Sequence, residues 1–284
     1  MMNDLQKKQL ELLKEFDRVC QENNLTYYAN GGTCIGAIRH KGFIPWDDDI
    51  DVMMPRPDYE KLLKLQNPWS DKKYFFQTFR TDKHYLLNFA KLRDSSTTFI
   101  ESYFKNVRQN HGVWIDIFPM DGISKKDKVY KKKKRYKCIR TWVNVYLSYP
   151  YGLRRKIHKR TFFKDIGLNI VAYLFFWTNL FQYRNKMINH WMKRIPYEEA
   201  VYVTNYCGNF PSKAYVRKEW LGKPVRVPFE DTYINVPERY DDYLTFIFGD
   251  YMTPPPPEKC IGHHYHRGFD LNMGYEEYLK KHKI

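Results

Sequence analysis

The stretch Trp46-Asp47-Asp48-Asp49-Ile50-Asp51-Val52-Met53-Met54 places four carboxylates within five residues and sets them in apolar company. Like charges a few ångströms apart disfavour mutual ionisation, so so dense a cluster implies something positive that offsets the repulsion. Read as a strand from Ile50 to Met54, the segment turns Asp49 and Asp51 to one side while Ile50 and Val52 face apolar surroundings on the other. Two oxygen ligands then stand on one rigid edge. Hard divalent cations such as Mg²⁺ or Mn²⁺ take such ligands, with substrate phosphates completing the shell. A solvated acidic loop is the plainer reading, but such a loop has no reason to be embedded in Ile, Val, Met and Trp.

Upstream, Leu25–Tyr28 reads as a short strand, and Asn30-Gly31-Gly32-Thr33 breaks it with two residues free to take positive φ. A helix of about two turns is expected to follow, through Ile38. A glycine pair at a strand-to-helix turn lets backbone N–H groups approach a phosphate. The turn and the acidic edge together point to phosphoryl chemistry. In such sites a diphosphate is held by two ions roughly 3.5–4 Å apart, which stabilise the entering and leaving oxygens. A third carboxylate is expected from a neighbouring strand. Asp116 in Trp114-Ile115-Asp116-Ile117-Phe118 is the candidate, since a lone acid on an apolar strand persists only when paired or metal-bound. Asp121, ahead of Gly122 and after Pro119, reads instead as the cap of a turn over 119–122.

The run from Gly31-Gly32-Thr33-Cys34-Ile35-Gly36 through Pro45-Trp46-Asp47-Asp48-Asp49-Ile50-Asp51-Val52 resembles the signature of the LicD family of phosphotransferases, relatives of fukutin and fukutin-related protein. Lys91-Leu92-Arg93-Asp94, the block Trp114 to Gly122 and His263-His264 are similar to further blocks of that family. The resemblance implies an α/β (α+β) nucleotidyltransferase-like core with a mixed sheet. It implies metal-dependent transfer of phosphocholine, or a polyol phosphate, from CDP-choline or another CDP-alcohol to a sugar hydroxyl of a glycan such as teichoic acid or its lipid-linked precursor. The acceptor then attacks the distal phosphorus and CMP leaves. By this similarity Asp49, Asp51 and Asp116 are the catalytic carboxylates that hold Mg²⁺ or Mn²⁺, as two ions, and Gly31, Gly32 and Thr33 form the diphosphate-facing turn. The cysteine-based zinc motif of fukutin-related protein has no counterpart here. Transfer of NMP with release of pyrophosphate is the enzymatic alternative; a basic nucleic-acid or lipid-binding protein is the non-enzymatic one.

Arg39, Lys91 and Arg93 are candidates to neutralise diphosphate oxygens, the arginines by a bidentate fork and the lysine as a point charge. Asp47 and Asp48 are candidates to position substrate from outside the metal shell. Cys260-x-x-His263-His264-x-His266 invites a zinc reading, but no second Cys/His pair lies at a suitable distance, so His263 and His264 are assigned to the nucleotide or the leaving phosphate. For each, surface solubility or plain packing is the bland alternative.

The 284 residues carry a formal net charge of +16, and the segment from Lys125 to Arg160 holds fifteen Lys/Arg against the single acid Asp127. The rest of the chain is thus close to neutral. An uncharged, aromatic-rich run follows at 166–183, but Asn169, Thr178, Asn179 and Gln182 make it too polar for a spanning helix. A basic, aromatic, mainly helical insertion lying on an anionic membrane surface accounts for both features. Nucleic acid is disfavoured, because no RNA-binding signature accompanies the lysines. The division expected is 1–124 for the catalytic core, 125–195 for the insertion and 196–284 for a part that completes the core. Five cysteines without a Cys-x-x-Cys pair and a first twenty residues that alternate charge with leucine suggest reduced thiols and a cytoplasmic protein, peripheral at the inner face of the membrane.

Overall fold

The computed structural model describes residues 2–123, 166, 167, 170, 180–208 and 215–283, apart from 86, 103, 105, 106 and 263. Helix α1 (Asp4–Glu22) starts where the sequence supplies a reciprocal cap. Gln6 N donates to Asn3 Oδ1 (2.9 Å) and Asn3 N donates to Gln6 Oε1 (3.1 Å). Its apolar stripe buries Leu12, Leu13, Phe16 and Val19 completely, and each such side chain contributes about 1.5–3 kcal/mol by leaving water. A short strand β1 (Tyr28–Ala29) leads into α2 (Gly31–Ile35), which widens into a π-helical turn over Gly36–His40. The regular two-turn helix expected here is prevented by a close approach of the chain to itself. Gly42 N donates to Gly36 O (3.3 Å), and a Cβ on Gly36 would stand 2.5 Å from the Gly42 carbonyl oxygen.

Strands β2 (Asp51–Pro55), β3 (Tyr74–Gln77), β4 (Ala90–Asp94) and β6 (Val113–Ile123) build a mixed sheet in the order β1-β2-β6-β4-β3. Only the β2–β6 pairing in it is parallel among the described strands. Helix α3 (Arg56–Leu62) follows β2 directly, with Pro57 in its first turn. The eleven residues of β6 are all buried, in keeping with a central strand covered on both faces. This corrects the turn expected at Pro119–Gly122. The strand runs on because β2 still pairs with it through Met120 and β7 (Tyr202–Thr204) pairs with Asp121–Ile123. Gly122 is required by close backbone approach instead: a Cβ there would lie 2.8 Å from the carbonyl oxygens of Ile195 and Pro196. Asp121 is not a turn cap but a buried partner of Arg56.

Beyond α4 (Leu180–Met192), strands β7 and β8 (Val216–Arg217) extend the sheet, α5 (Lys218–Leu221) leads into the hairpin β9 (Val225–Phe229) and β10 (Thr232–Val236), and α6 (Tyr240–Phe248) packs on α2. Strand β11 (His266–Asp270) returns to pair antiparallel with β5 (Thr98–Glu101), placing Glu101 opposite His266. Helix α7 (Tyr275–His282) ends the described chain. The observed architecture is a mixed α/β fold of the α+β kind. The basic segment 125–160 and most of 161–179 lie outside the described residues. Among the described residues no helix is long and apolar enough to cross a membrane, and Cys20, Cys34, Cys207 and Cys260 are free thiols.

Candidate active site

Sheet register decides which charges meet. Asp51 on β2 is the parallel partner of Asp116 on β6, and Asp116 is in turn the antiparallel partner of Lys91 on β4. Register partners on adjacent strands project to the same face, so the three side chains form one row across three strands. Lys91 Nζ lies 3.0 Å from Asp116 Oδ1 and 3.6 Å from Glu101 Oε2. It also stands 4.0 Å from the centroid of the Trp114 ring. At 2% exposure it is an interior cation. Arg93, fully buried one register step away, donates through Nε to Gln77 Oε1, through NH1 to the Gly112 carbonyl (2.6 Å) and through NH2 to Glu101 (3.3 Å). Its fork is thus engaged within the protein rather than turned toward a diphosphate. Glu101, which sequence reasoning missed, links both cations. Its only signal in the sequence is an acid ending an otherwise apolar strand.

The acidic loop ahead of β2 is carried by α1. Gln6 Nε2 donates to the carbonyl oxygen of Asp47 (3.0 Å) and Gln9 Nε2 to that of Asp48 (2.8 Å), and both glutamines are buried on the inner face of the helix. Thr33 holds the start of β2, its Oγ1 accepting from Asp51 N at 2.9 Å. Gly31 takes φ +53°, and at Gly32 a Cβ would lie 2.8 Å from Asp47 Oδ2. The glycine pair therefore lets α2 approach the acidic loop closely. Asp47, Asp48 and Asp49 bring oxygens within 4.8 Å of one another.

The C-terminal segment closes this cluster from the other side. His264 N donates to Asp48 Oδ2 (2.8 Å), His264 Nδ1 lies 2.9 Å from Asp48 Oδ1 and 3.8 Å from Asp49 Oδ2, and its ring packs edge-on to Trp114. Gly262 is seated against Asp48, whose Oδ2 lies 2.6 Å from where a Cβ would stand. Arg39 donates through NH1 to the Tyr251 carbonyl (2.6 Å), which ties the π-turn to the segment after α6. Of the other sequence candidates, His263 lies outside the described residues. Cys260 is only partly buried and its thiol faces the carbonyls of Pro255 and Pro256.

The electrostatics bear on whether a cation suits these residues. Burial, then the charges of Asp49 and Asp48, push the Asp47 carboxyl up to about 8. Burial likewise raises Asp49, Asp51 and Asp116, and neighbouring carboxylates push each of them the same way, against the charge of Lys91. Asp51 Oδ1 is buried without a hydrogen-bond partner, whereas Asp116 Oδ1 faces the Lys91 ammonium at 3.0 Å. A buried oxygen-rich set with an orphaned acceptor and protons held above their usual range suits a hard divalent ion.

A pH dependence follows. Burial opposes protonation of His264, yet its hydrogen bond to Asp48 and the charge of Asp49 lift it to about 9. Asp47 and His264 both keep protons in the folded protein at pH values where the unfolded chain has released them. The folded state thus binds more protons than the unfolded one up to about pH 8 for Asp47 and, for His264, from 6.5 to about 9, so stability falls as pH rises through those windows. His40, His84 and His111, all lowered first by burial, act in the opposite sense, but only below 6.5. The unfolding midpoint of the metal-free protein is expected to fall between about pH 6.5 and 8.5, and Mg²⁺ is expected to flatten that slope by taking the place of the protons. A midpoint that stays level or rises across this range contradicts the electrostatic account.

Comparison with known proteins agrees with the geometry. Residues 24–152 match the family model described as LicD/FKTN/FKRP, nucleotidyltransferase domain. The chain carries a LicD family domain. It is 29% identical over 277 residues, 92% of this chain and 95% of the relative, to the lipopolysaccharide cholinephosphotransferase LicD of Haemophilus influenzae. Uncharacterized proteins of Rickettsia prowazekii and Rickettsia typhi are 36% and 40% identical over 55 and 48 residues, 19% and 17% of this chain and 21% and 16% of theirs. The row Asp51–Asp116–Lys91 and the loop Asp47–Asp49 both lie inside the LicD domain, whereas His264 reaches them from outside it.

Proposed function

We propose that this protein is a phosphotransferase that moves phosphocholine, or a related phospho-alcohol, from a CDP-activated donor to a sugar hydroxyl of a cell-surface glycan or its lipid-linked precursor. The observation that carries the reading is the convergence of Asp49, Asp51 and Asp116 where the adjacent strands β2 and β6 pair, in a chain similar over nearly its whole length to a cholinephosphotransferase. Asp49 and Asp51, with Asp47 beside them, would hold Mg²⁺ or Mn²⁺. When bound, the ion supplies charge neutralisation for the diphosphate and the leaving oxygen. Gly31, Gly32 and Thr33 present the backbone at the turn that faces the acidic loop.

Asp116, its carboxyl raised by burial, accepts the proton from the attacking hydroxyl. That hydroxyl oxygen bonds to the distal phosphorus, the bond from this phosphorus to the bridging oxygen breaks, and CMP departs. His264 holds Asp48 in place and keeps a positive charge at the rim. The basic segment 125–160 suits work at the cytoplasmic membrane surface, where a lipid-linked acceptor resides.

The test is product identity. Incubation with CDP-choline and a panel of other CDP-alcohols, Mg²⁺ and a glycan acceptor is expected to release CMP, with chelation abolishing the release. Release of pyrophosphate from a nucleoside triphosphate instead establishes nucleotidyl transfer. Silence across the panel from a folded sample overturns the proposal.

A further inference from the structure

The Asp51 carboxylate takes its position from its backbone, because its Oδ1 is buried with no hydrogen-bond partner among the described residues. Strand β6 bonds to the preceding residue, Asp116 N donating to Ile50 O at 2.8 Å, so both peptide groups of Asp51 turn the other way. One turn grips them. Asp51 N donates to Thr33 Oγ1 at 2.9 Å, and Asp51 O accepts from Asn30 N at 2.9 Å. The two grips are joined through Gly31 and Gly32. Glycine has the most backbone freedom of any residue, and Gly31, at φ +53°, has open space where a Cβ would stand. The turn that places Asp51 is therefore soft unless something outside it holds it.

Tyr243 of α6 supplies that hold. Its hydroxyl donates to Asn30 Oδ1 at 2.7 Å across 213 residues of chain, from a side chain that is 2% exposed. Asn30 stands just before α2, where an asparagine ordinarily caps the helix, yet its side chain makes no cap hydrogen bond. Its oxygen is committed to Tyr243 instead. Burial raises the Tyr243 hydroxyl well above its ordinary value, with the Gly31 amide acting on it in the opposite sense, so it stays protonated and able to donate at neutral pH. Helix α6 packs on α2, and Tyr243, like His264, lies outside the residues matched by the LicD model. The path Tyr243–Asn30–Asp51 thus runs from a helix of the C-terminal part to a carboxylate of the site.

We propose that Tyr243 is a positioning residue of the active site: its hydroxyl, through the Asn30 side chain, fixes the glycine turn and with it the place of the Asp51 carboxylate for a divalent ion. This rests on the phosphotransferase reading above only in taking Asp51 as a ligand of that ion. Tyr243 is not itself a ligand, since its hydroxyl hydrogen is given to Asn30. Groups that orient a metal ligand from behind are commonly worth about 10–100-fold in metal affinity.

Tyr243→Phe removes the hydroxyl and keeps the buried ring. Titration of the intact protein with Mn²⁺, followed by the electron paramagnetic resonance signal of the free ion, is expected to show binding weakened by about tenfold or more in this variant. Tyr27→Phe is the control. Its hydroxyl is as deeply buried and donates to Asp17 Oδ1 of α1 at 2.7 Å, so its loss is expected to lower the unfolding midpoint and leave Mn²⁺ affinity unchanged. Asn30→Ala is expected to weaken Mn²⁺ binding as Tyr243→Phe does, and the double variant no further, because the hydroxyl acts through Asn30. A folded Tyr243→Phe with unchanged Mn²⁺ affinity overturns the inference, as does a double variant in which the two losses multiply. An equal loss of affinity in Tyr27→Phe overturns it too, since general loosening would then account for the effect. Should Tyr243→Phe fail to fold, Asn30→Ala decides in its place: weakened Mn²⁺ binding supports the inference and unchanged binding overturns it. Binding weakened as expected, in a protein that releases no CMP from any donor, leaves the inference standing and removes the proposed function. No Mn²⁺ bound by the unaltered protein overturns both.

Discussion

Replacing Asp51 with Asn is expected to lower the rate of CMP release by about a thousandfold or more while making the metal-free protein more stable. The two effects have one cause. Asp51 Oδ1 is buried and unpartnered, and its carboxyl is pushed well above the ordinary range by burial and by Asp49, Asp116 and Asp47. Without an ion its charge is a cost to the fold, because burial and three neighbouring carboxylates all disfavour the ionised form. Asn has the same shape and no charge. Its backbone N–H still donates to Thr33 Oγ1 and its carbonyl still accepts from Asn30 N, so β2 keeps its anchorage. What disappears is the charge that would hold the ion, and losing several kcal/mol of transition-state stabilisation at 1.36 kcal/mol per tenfold gives a loss of this size. Thermal melts in chelator and CMP release in Mg²⁺ measure the two sides. A destabilised variant that retains turnover would show that Asp51 serves the fold and not the chemistry.

This opposition of stability and function also explains which parts of the site were legible in the sequence. Asp49 and Asp51 announce themselves because four carboxylates in five residues have no structural justification of their own. Asp116 announces itself because it is the one acid in Trp114–Phe118, and the period of a strand turns it away from Ile115 and Ile117. The capping box at Asn3 and Gln6 likewise fixes the start of α1 through short-range chemistry. These signals are local: each depends on residues within a few positions of one another.

The rest was illegible for the converse reason. Gln6 and Gln9 read as polar positions on an amphipathic helix, and only the docking of α1 reveals that they carry the backbone of the acidic loop. Lys91 and Arg93 read as phosphate-binding cations because sequence does not show that strand register sets Lys91 beside Asp116, or that Glu101, eight residues after Arg93, reaches both. The Pro119–Gly122 block carries strong turn chemistry. It is overridden by pairing with β2 and β7, two strands separated by about 150 residues, and no reading of neighbouring residues anticipates that contest. Gly262 and His264 touch Asp48 across 216 residues of chain in the case of His264, a contact created by the pairing of β11 with β5.

The strongest structural dependence lies at the opposite end of the same two strands. Asp121→Ala is expected to cost about 3–5 kcal/mol, the usual consequence of leaving one member of a buried ion pair uncompensated. Arg56, at the β2–α3 junction, donates through Nε and NH2 to the two oxygens of Asp121, both at 2.7 Å, and through NH1 to Asn189 Oδ1 at 3.1 Å. Glu60 approaches the same guanidinium at 3.4 Å and receives Lys193 at 3.2 Å. One planar group thus joins the end of β2, the end of β6 and helix α4. Domain stabilities are commonly about 5–15 kcal/mol, so the single substitution would remove a large share. The paired change Arg56→Met with Asp121→Leu is expected to recover much of the loss, because an apolar pair of similar volume incurs no penalty for burying charge. Denaturant unfolding of the two single variants and the double variant measures the coupling. A single variant that costs less than about 1 kcal/mol, the range of an exposed pair, would mean that this end of the sheet is held by apolar packing alone. The Asp51–Asp116 register would then owe nothing to the guanidinium that joins the far ends of its two strands.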